Sequence, residues 1–300
     1  MSEPVVTASE NPWENIFHCA VQFHGRGSLN EAGSLFAAIV EHNPGHFPSL
    51  HRLAAIRRQQ GRLQESLALL ERAVECNPTA ADVHNSLGNT LSGLERYEEA
   101  IVEYRRAASL RENFPEAHLN LGNSLKATGR YEEAAEAYRA AIALRPPYAE
   151  AHSNLGIALA RLNRPSEAAA SFATAISIDP RIKLGNSNLG LALTALNRHE
   201  EALPYFQRAR LLDPEAPQPV FNESVVHLAL GDFERGWPDY EARWRVPELK
   251  MKPPNFAQPR WDGQSSMAGK TILLHSEQGL GDTILFARFV EPIVKQGARV

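Results

Sequence analysis

Residues 115–148 read PEAHLNLGNSLKATGRYEEAAEAYRAAIALRPPY, and residues 149–182 read AEAHSNLGIALARLNRPSEAAASFATAISIDPRI. Laid one beneath the other, the two stretches agree in Leu121-Gly122 and Leu155-Gly156, Ala134 and Ala168, Tyr138 and Phe172, Ala141 and Ala175, Pro146 and Pro180. The same 34-residue frame fits residues 81–114 through Leu87-Gly88, Ala100, Tyr104 and Ala107. It fits residues 183–216 through Leu189-Gly190, Ala202, Phe206, Ala209 and Pro214. Self-similarity at one fixed period marks a repeat architecture. Weaker copies precede these, through Ala32, Phe36 and Pro44 and through Leu53, Ala73 and Pro78, and a divergent copy follows through Phe221, Asn222, Gly236 and Tyr240. The units are 13–46, 47–80, 81–114, 115–148, 149–182, 183–216 and 217–250.

Each unit predicts a helical hairpin. Leu at the seventh position, Gly at the eighth and Leu at the eleventh fall on one stripe of a 3.6-period helix. Glycine there admits a second helix that a side chain would hold off. Alanines at positions 20 and 27 do the same from the other side, and the aromatic between them fills the space. Gly129 suits a left-handed helix end, and proline near position 32 prevents the second helix from continuing. Such hairpins cannot bury their apolar faces alone and must stack. The expected fold is mainly α: a solenoid of helical hairpins over residues 13–250, after an N-terminal tail of residues 1–12.

This pattern resembles the tetratricopeptide (TPR) family, which implies a right-handed superhelix whose first helices line a concave wall. Within that family it is most similar to the repeats of protein O-GlcNAc transferases, whose units often read Asn-Leu-Gly, as do Asn120-Leu121-Gly122, Asn154-Leu155-Gly156 and Asn188-Leu189-Gly190 here. At about 100° per residue, position 6 lies opposite the packing stripe. Ser86, Asn120, Asn154, Asn188 and Asn222 therefore form one row, with Asn89 and Asn123 beside it. Amides in a row can hydrogen-bond the backbone of an extended peptide of any sequence. The alternative is a tolerated polar residue on a solvated face. Because asparagine is a mediocre helix former, its repetition in mid-helix favours a peptide-binding role, and the resemblance implies the same.

His84, His118 and His152 also recur at position 4. Equivalent helices of neighbouring units stand about 8–10 Å apart, too far for the short bonds of a shared metal, so these histidines are expected to pack between helices. No metal site is expected. Glu98-Glu99, Glu132-Glu133 and Glu200-Glu201 open second helices, where the helix dipole favours negative charge. Trp237, Tyr240 and Trp244 stand at i, i+3 and i+7 and predict an aromatic stripe that caps the array.

A formal net charge of −4 argues against nucleic acid or anionic membrane as a general partner. Cys19 and Cys76 make no disulfide framework, the residues after Met1 lack a basic leader, and no apolar run is long enough to span a bilayer. The expectation is a cytoplasmic protein whose partner is a protein or extended peptide.

From residue 251 the character changes. Residues 251–269 form a proline-rich linker, and residues 270–300 read as strand, glycine loop, helix and second strand, the start of a parallel βαβ unit. Thr271 to His275 predicts a short buried strand, and Asp282 to Val294 a helix. Gly279-Leu280-Gly281 lacks the third glycine of a dinucleotide fingerprint, but Gly281-Asp282-Thr283 suits a tight turn with Asp282 as helix cap facing a ligand. Phe256-Ala257-Gln258-Pro259-Arg260-Trp261-Asp262-Gly263 and Leu274-His275-Ser276-Glu277-Gln278-Gly279-Leu280-Gly281-Asp282-Thr283 resemble the junction in bacterial TPR proteins that carry a heptosyltransferase-like (family 9-like) glycosyltransferase domain. The resemblance implies a Rossmann-like fold, a loop of Gly279, Gly281, Asp282 and Thr283 near the ligand, Asp282 as candidate catalytic base, and a sugar nucleotide as donor for the complete protein. A lone strand, helix and partial strand cannot bury a core. The expectation is thus that this chain, which needs no cofactor of its own, is inactive alone and recruits a polypeptide for an adjoining transferase; the alternative is a non-enzymatic scaffold.

Overall fold

In a computed structural model, residues 11–182, 184–252, 255, 261, 265–274 and 290–300 are described. They fall into two compact units, Met1–Lys250 and Met251–Val300.

Among the described residues of the first unit, fourteen α-helices pair into seven hairpins. These are α1 (Pro12–Gly25) with α2 (Leu29–His42), α3 (Phe47–Gln59) with α4 (Leu63–Cys76), α5 (Ala81–Gly93) with α6 (Tyr97–Leu110), and α7 (Pro115–Ala127) with α8 (Tyr131–Leu144). Then follow α9 (Ala149–Arg161) with α10 (Pro165–Ile178), α11 (Gly185–Ala195) with α12 (His199–Leu212), and α13 (Pro217–Ala229) with the shorter α14 (Phe233–Tyr240). Even helices end two residues before Pro44, Pro78, Pro146, Pro180 and Pro214, because the residue preceding a proline is disfavoured in helical conformation. The sixth unit departs slightly: α11 opens at Gly185, after Leu184 turns left-handed with φ 60°.

The core is the predicted one. A Cβ on Gly88, Gly122, Gly156 or Gly190 would stand 2.5–2.6 Å from a ring atom of Tyr104, Tyr138, Phe172 or Phe206. One edge of the second helix's aromatic ring thus lies against the bare backbone of the first, flanked by fully buried alanines such as Ala134 and Ala141. The turn between the helices is equally regular. Position 15 of all seven units is left-handed: Gly27, Gly61, Glu95, Gly129, Asn163, Asn197 and Gly231. Glycine or asparagine tolerates that conformation; Glu95 is the exception.

The seventh unit corrects one expectation. α14 stops at Tyr240 and the chain tightens into a 3-10 turn, Glu241–Arg245, so Trp237, Tyr240 and Trp244 do not share one α-helical stripe. Instead the guanidinium of Arg243 lies between the rings of Tyr240 (4.6 Å) and Trp244 (4.1 Å), while Trp237 meets Tyr240 edge-on and remains exposed.

In the second unit, Thr271 and Arg299 form a parallel bridge, with Ile272 N–H donating to Arg299 O at 2.7 Å and Arg299 N–H to Lys270 O at 2.9 Å. The helix Val290–Lys295 precedes that return. No longer strand forms among the described residues. Leu273 and Leu274, expected in a buried strand, are 67% and 46% exposed: a single bridge makes no sheet face for a helix to cover. The rest of the predicted Rossmann-like segment, with Gly279, Gly281, Asp282 and Thr283, lies outside the described residues.

Candidate functional site

The odd helices touch one another along the array, α3 on α5, α5 on α7, α7 on α9, α9 on α11 and α11 on α13. Their faces make one continuous wall, and position 6 sits at the seams. His51 shares a hydrogen bond with Ser86 Oγ at 2.8 Å, and Asn120 Nδ2 donates to Asn85 Oδ1 at 3.1 Å. Both links run from position 5 of one unit to position 6 of the next. Leu119 occupies position 5 of the fourth unit and cannot accept. Asn154 Nδ2 donates instead to Asn123 Oδ1 at 3.1 Å, and Asn154 Oδ1 accepts from Lys126 Nζ at 3.0 Å. Burial holds the Lys126 ammonium below its ordinary pKa, and Glu150 opposes that shift. Asn188 is half-buried and its amide makes no hydrogen bond among the described residues.

Asn89 and Asn123 do something the sequence reading missed. Tyr104 Oη donates to Asn89 Oδ1 at 2.8 Å, and Tyr138 Oη to Asn123 Oδ1 at 2.9 Å. Tyrosines wedged against glycine need an acceptor for their hydroxyls, and position 9 supplies it. A signal was present: asparagine stands at position 9 where position 24 is Tyr104 or Tyr138, while Ile157 and Leu191 stand there where it is Phe172 or Phe206. Both amide oxygens are therefore engaged internally, leaving amide hydrogens to face outward. Burial drives both phenols above their ordinary pKa.

Asn222 departs from the row. It is 6% exposed, its Oδ1 accepts from Gln218 Nε2 at 2.9 Å, and its Nδ2 is buried without a partner among the described residues. The cause is local: its neighbour at position 7 is Glu223, not leucine. Glu223 is buried and ion-paired to Arg210 at 2.8 Å, and Arg210 also reaches Asp239 at 3.1 Å. A polar cluster thereby replaces the packing that leaves position 6 open elsewhere.

Of the histidines at position 4, His84 is buried, while His118 and His152 are half-buried. His84 contacts Glu103 Oε2 at 2.6 Å and Pro78 O at 3.0 Å, and His152 contacts Pro146 O at 3.3 Å. Burial holds His118 below its ordinary pKa. No three metal-ligating side chains converge among the described residues, nor is any described helix long and apolar enough to cross a membrane. The acids that open second helices are clamped three residues back: Glu99 to Arg96, Glu133 to Arg130, Glu201 to Arg198, each within 2.7 Å.

A family model described as "TPR repeat" matches residues 54–95, 93–129 and 122–163, and two described as "Tetratricopeptide repeat" match 149–182 and 187–247. The chain is a tetratricopeptide repeat protein. The match over 149–182 coincides with the fifth unit read above, and the first hairpin, outside these matches, has the same paired-helix form. A curated relative, protein FlbA of Caulobacter vibrioides, is 40% identical over 77 residues, which are 25% of this chain and 12% of that protein. The match thus spans about an eighth of the relative's length. Among solved structures, a TPR protein from Parabacteroides merdae is similar with a TM-score of 0.60 at 17% identity, covering 79% of this chain and 96% of the other. PilW, described as a type IV pilus biogenesis factor, is similar at 0.62 and 16% identity, covering 70% and 98%. YrrB, described as "a TPR protein with an unusual peptide-binding site", is similar at 0.54 and 23% identity, covering 62% and 95%. At these identities the likeness concerns the fold.

Proposed function

We propose that the odd-helix wall of units three to six is the concave wall of a superhelix and captures an extended polypeptide segment. The observation that carries this reading is the unspent hydrogen-bonding capacity at position 6. Asn188 offers a whole amide, Asn120 offers its oxygen and one amide hydrogen, and Asn154 offers its second amide hydrogen. These groups recur at one height on adjoining helices, and an extended backbone presents N–H and C=O groups at a comparable regular interval. Asn89 and Asn123 add their amide hydrogens while holding the tyrosines. Asn222 has no part in this surface. Replacing Asn120, Asn154 and Asn188 together by alanine should weaken capture of labelled unstructured peptides about tenfold or more with helicity by circular dichroism unchanged; undiminished binding would sink the reading.

The second unit extends the proposal. Its bridge between Thr271 and Arg299, with the helix Val290–Lys295 between them in sequence, has the parallel hand-over of a βαβ start. Together with the resemblance of residues 256–283 to heptosyltransferase-like domains, it supports a TPR array that presents polypeptide to an adjoining glycosyltransferase domain using a sugar nucleotide, with Asp282 as base. Sugar-nucleotide turnover by the array together with such a domain, lost in Asp282→Asn, is the expected result; absence of turnover would leave the array as a scaffold.

A further inference from the structure

Three rows run along the odd-helix wall, and their chemistry changes from one end to the other. Position 6 reads His18, Arg52, Ser86, Asn120, Asn154, Asn188; position 9 reads Val21, Ala55, Asn89, Asn123, Ile157, Leu191, Val225; position 12 reads His24, Arg58, Ser92, Lys126, Ala160, Thr194. Along these rows the first two units carry arginine or histidine at positions 6 and 12, units three and four carry amides at position 9, and units five to seven carry aliphatic side chains at position 9 while Asn154 and Asn188 keep amides at position 6.

The exposures agree. Arg58 is exposed and makes no ion pair among the described residues, and it stands close enough to the Tyr104 hydroxyl to favour its ionised form. Arg52 lies 6.0 Å over the Phe17 ring, and no acid of the described residues pairs with it. Asp82 is tied to Arg111 at 2.8 Å, and Glu65 to Arg57 at 3.3 Å. In the middle of the wall, the charge of Lys126 is opposed by Glu150. At the far end Leu191 is 44% and Val225 37% exposed, at equivalent places on helices in direct contact. In units five and six Ile157 and Leu191 can be apolar because Phe172 and Phe206 have no hydroxyl to satisfy; Val225 continues the apolar strip in the seventh unit although position 24 there is Tyr240.

We infer that the wall is polar in the directional sense: it takes an extended polypeptide whose acidic side chains lie over Arg52 and Arg58 and whose aliphatic side chains lie over Ile157, Leu191 and Val225. This rests on the peptide-capture reading and adds to it a partner of defined chemistry and a fixed direction of approach. The amides of units three to six, which run alongside the aliphatic strip at Asn154 and Asn188, hold backbone without choosing side chains. Five steps of ~8–10 Å from unit two to unit seven match about 14 residues of extended chain.

The test uses the full chain and fluorescence anisotropy with three labelled peptides of that length and identical composition: Asp/Glu in one half and Leu/Val in the other, the same blocks in reverse order, and the same residues interspersed. One block peptide should bind about tenfold tighter than the interspersed one and lose most of that advantage at high salt, since exposed charges are screened. Arg52→Gln with Arg58→Gln should abolish the salt dependence. Leu191→Asn with Val225→Asn should weaken the same peptide several-fold while leaving its salt dependence intact. Arg58→Gln alone serves as a surface substitution that leaves folding undisturbed. Equal affinity for all three peptides, or an unchanged affinity in both pairs of variants, would overturn the inference. If all three bind equally and all are lost when Asn120, Asn154 and Asn188 become alanine, peptide capture stands and only its directionality fails. Absence of binding by every peptide overturns both.

Discussion

The hydroxyl of Tyr138 donates to Asn123 Oδ1 across the fourth hairpin at 2.9 Å, while the edge of the same ring lies against the backbone of Gly122. One side chain thus joins the two helices through an apolar contact and a polar one. Tyr138→Phe should cost about 1 kcal/mol, the usual net value of such a bond plus an acceptor left less satisfied. Adding Asn123→Ile recreates the Ile157–Phe172 pairing of the fifth unit and should recover most of the loss. A double-mutant cycle in urea with a coupling energy near zero would contradict this.

Burial raises the phenols of Tyr104 and Tyr138, so their neutral forms are favoured by folding. Above the ordinary value of about 10 the unfolded chain releases protons that the folded array keeps, and stability falls with rising pH. This contribution is fully present below pH ~10 and is lost on the alkaline side. Thermal melts between pH 9 and about 11 should show a steeper decline for the natural chain than for the Tyr104→Phe, Tyr138→Phe variant. Parallel declines would show that other groups dominate.

Gly122→Ala places a methyl 2.5 Å from the Tyr138 ring. Helix propensity favours alanine by ~1 kcal/mol, but overpacking costs ~1–3 kcal/mol, and the ring is fully buried with nowhere to move. The expected net loss is about 1–2 kcal/mol, read as a lowered denaturation midpoint. A stabilised variant would mean that the ring shifts freely.

Glu95 holds φ 60° where four other units use glycine. Relief of a left-handed side-chain penalty of ~1–2 kcal/mol exceeds the entropy lost through a more flexible unfolded chain. Glu95→Gly should therefore stabilise the array by up to about 1 kcal/mol. An unchanged or lower melting temperature would refute the strain argument.

In the seventh unit Glu223 sits buried where the regular repeats carry leucine, and Arg210 balances it. Arg210→Ala leaves that carboxylate uncompensated and should cost about 2 kcal/mol, less than a fully buried pair because Arg210 is partly exposed. Glu223→Leu should be neutral or stabilising, since desolvation of the charge is removed with it. Denaturation of the two variants separates these outcomes, and an equal loss from both would point to a stronger pair than burial suggests.

Much of the wall was legible from spacing because helical periodicity and repeat period act together: a residue's number settles its face and its neighbours one unit away. That logic located the position 6 row, the glycine–aromatic contacts and the acids at helix starts, though not the arginines that clamp them. It failed where one side chain changes what its neighbour must do. Asn222 shares a register with Asn188, yet Glu223 beside it brings Arg210 into the interface, and the amide is buried. Trp237, Tyr240 and Trp244 have helical spacing, but helix α14 ends between the second and third of them.

The sequence by itself determined the hairpins, their 34-residue period and the inward face of each helix, since these follow from local periodicity, proline stops and the absence of a side chain at Gly88, Gly122, Gly156 and Gly190. Only the tertiary structure decided how much of each amide is left to bind a partner. Asn123 is occupied by Tyr138 and Asn154, and Asn120 by Asn85, while Asn188 is free among the described residues. Hydrogen-bond capacity is spent on whatever acceptor or donor lies within about 3 Å, and that proximity is a property of stacked helices, not of residue order.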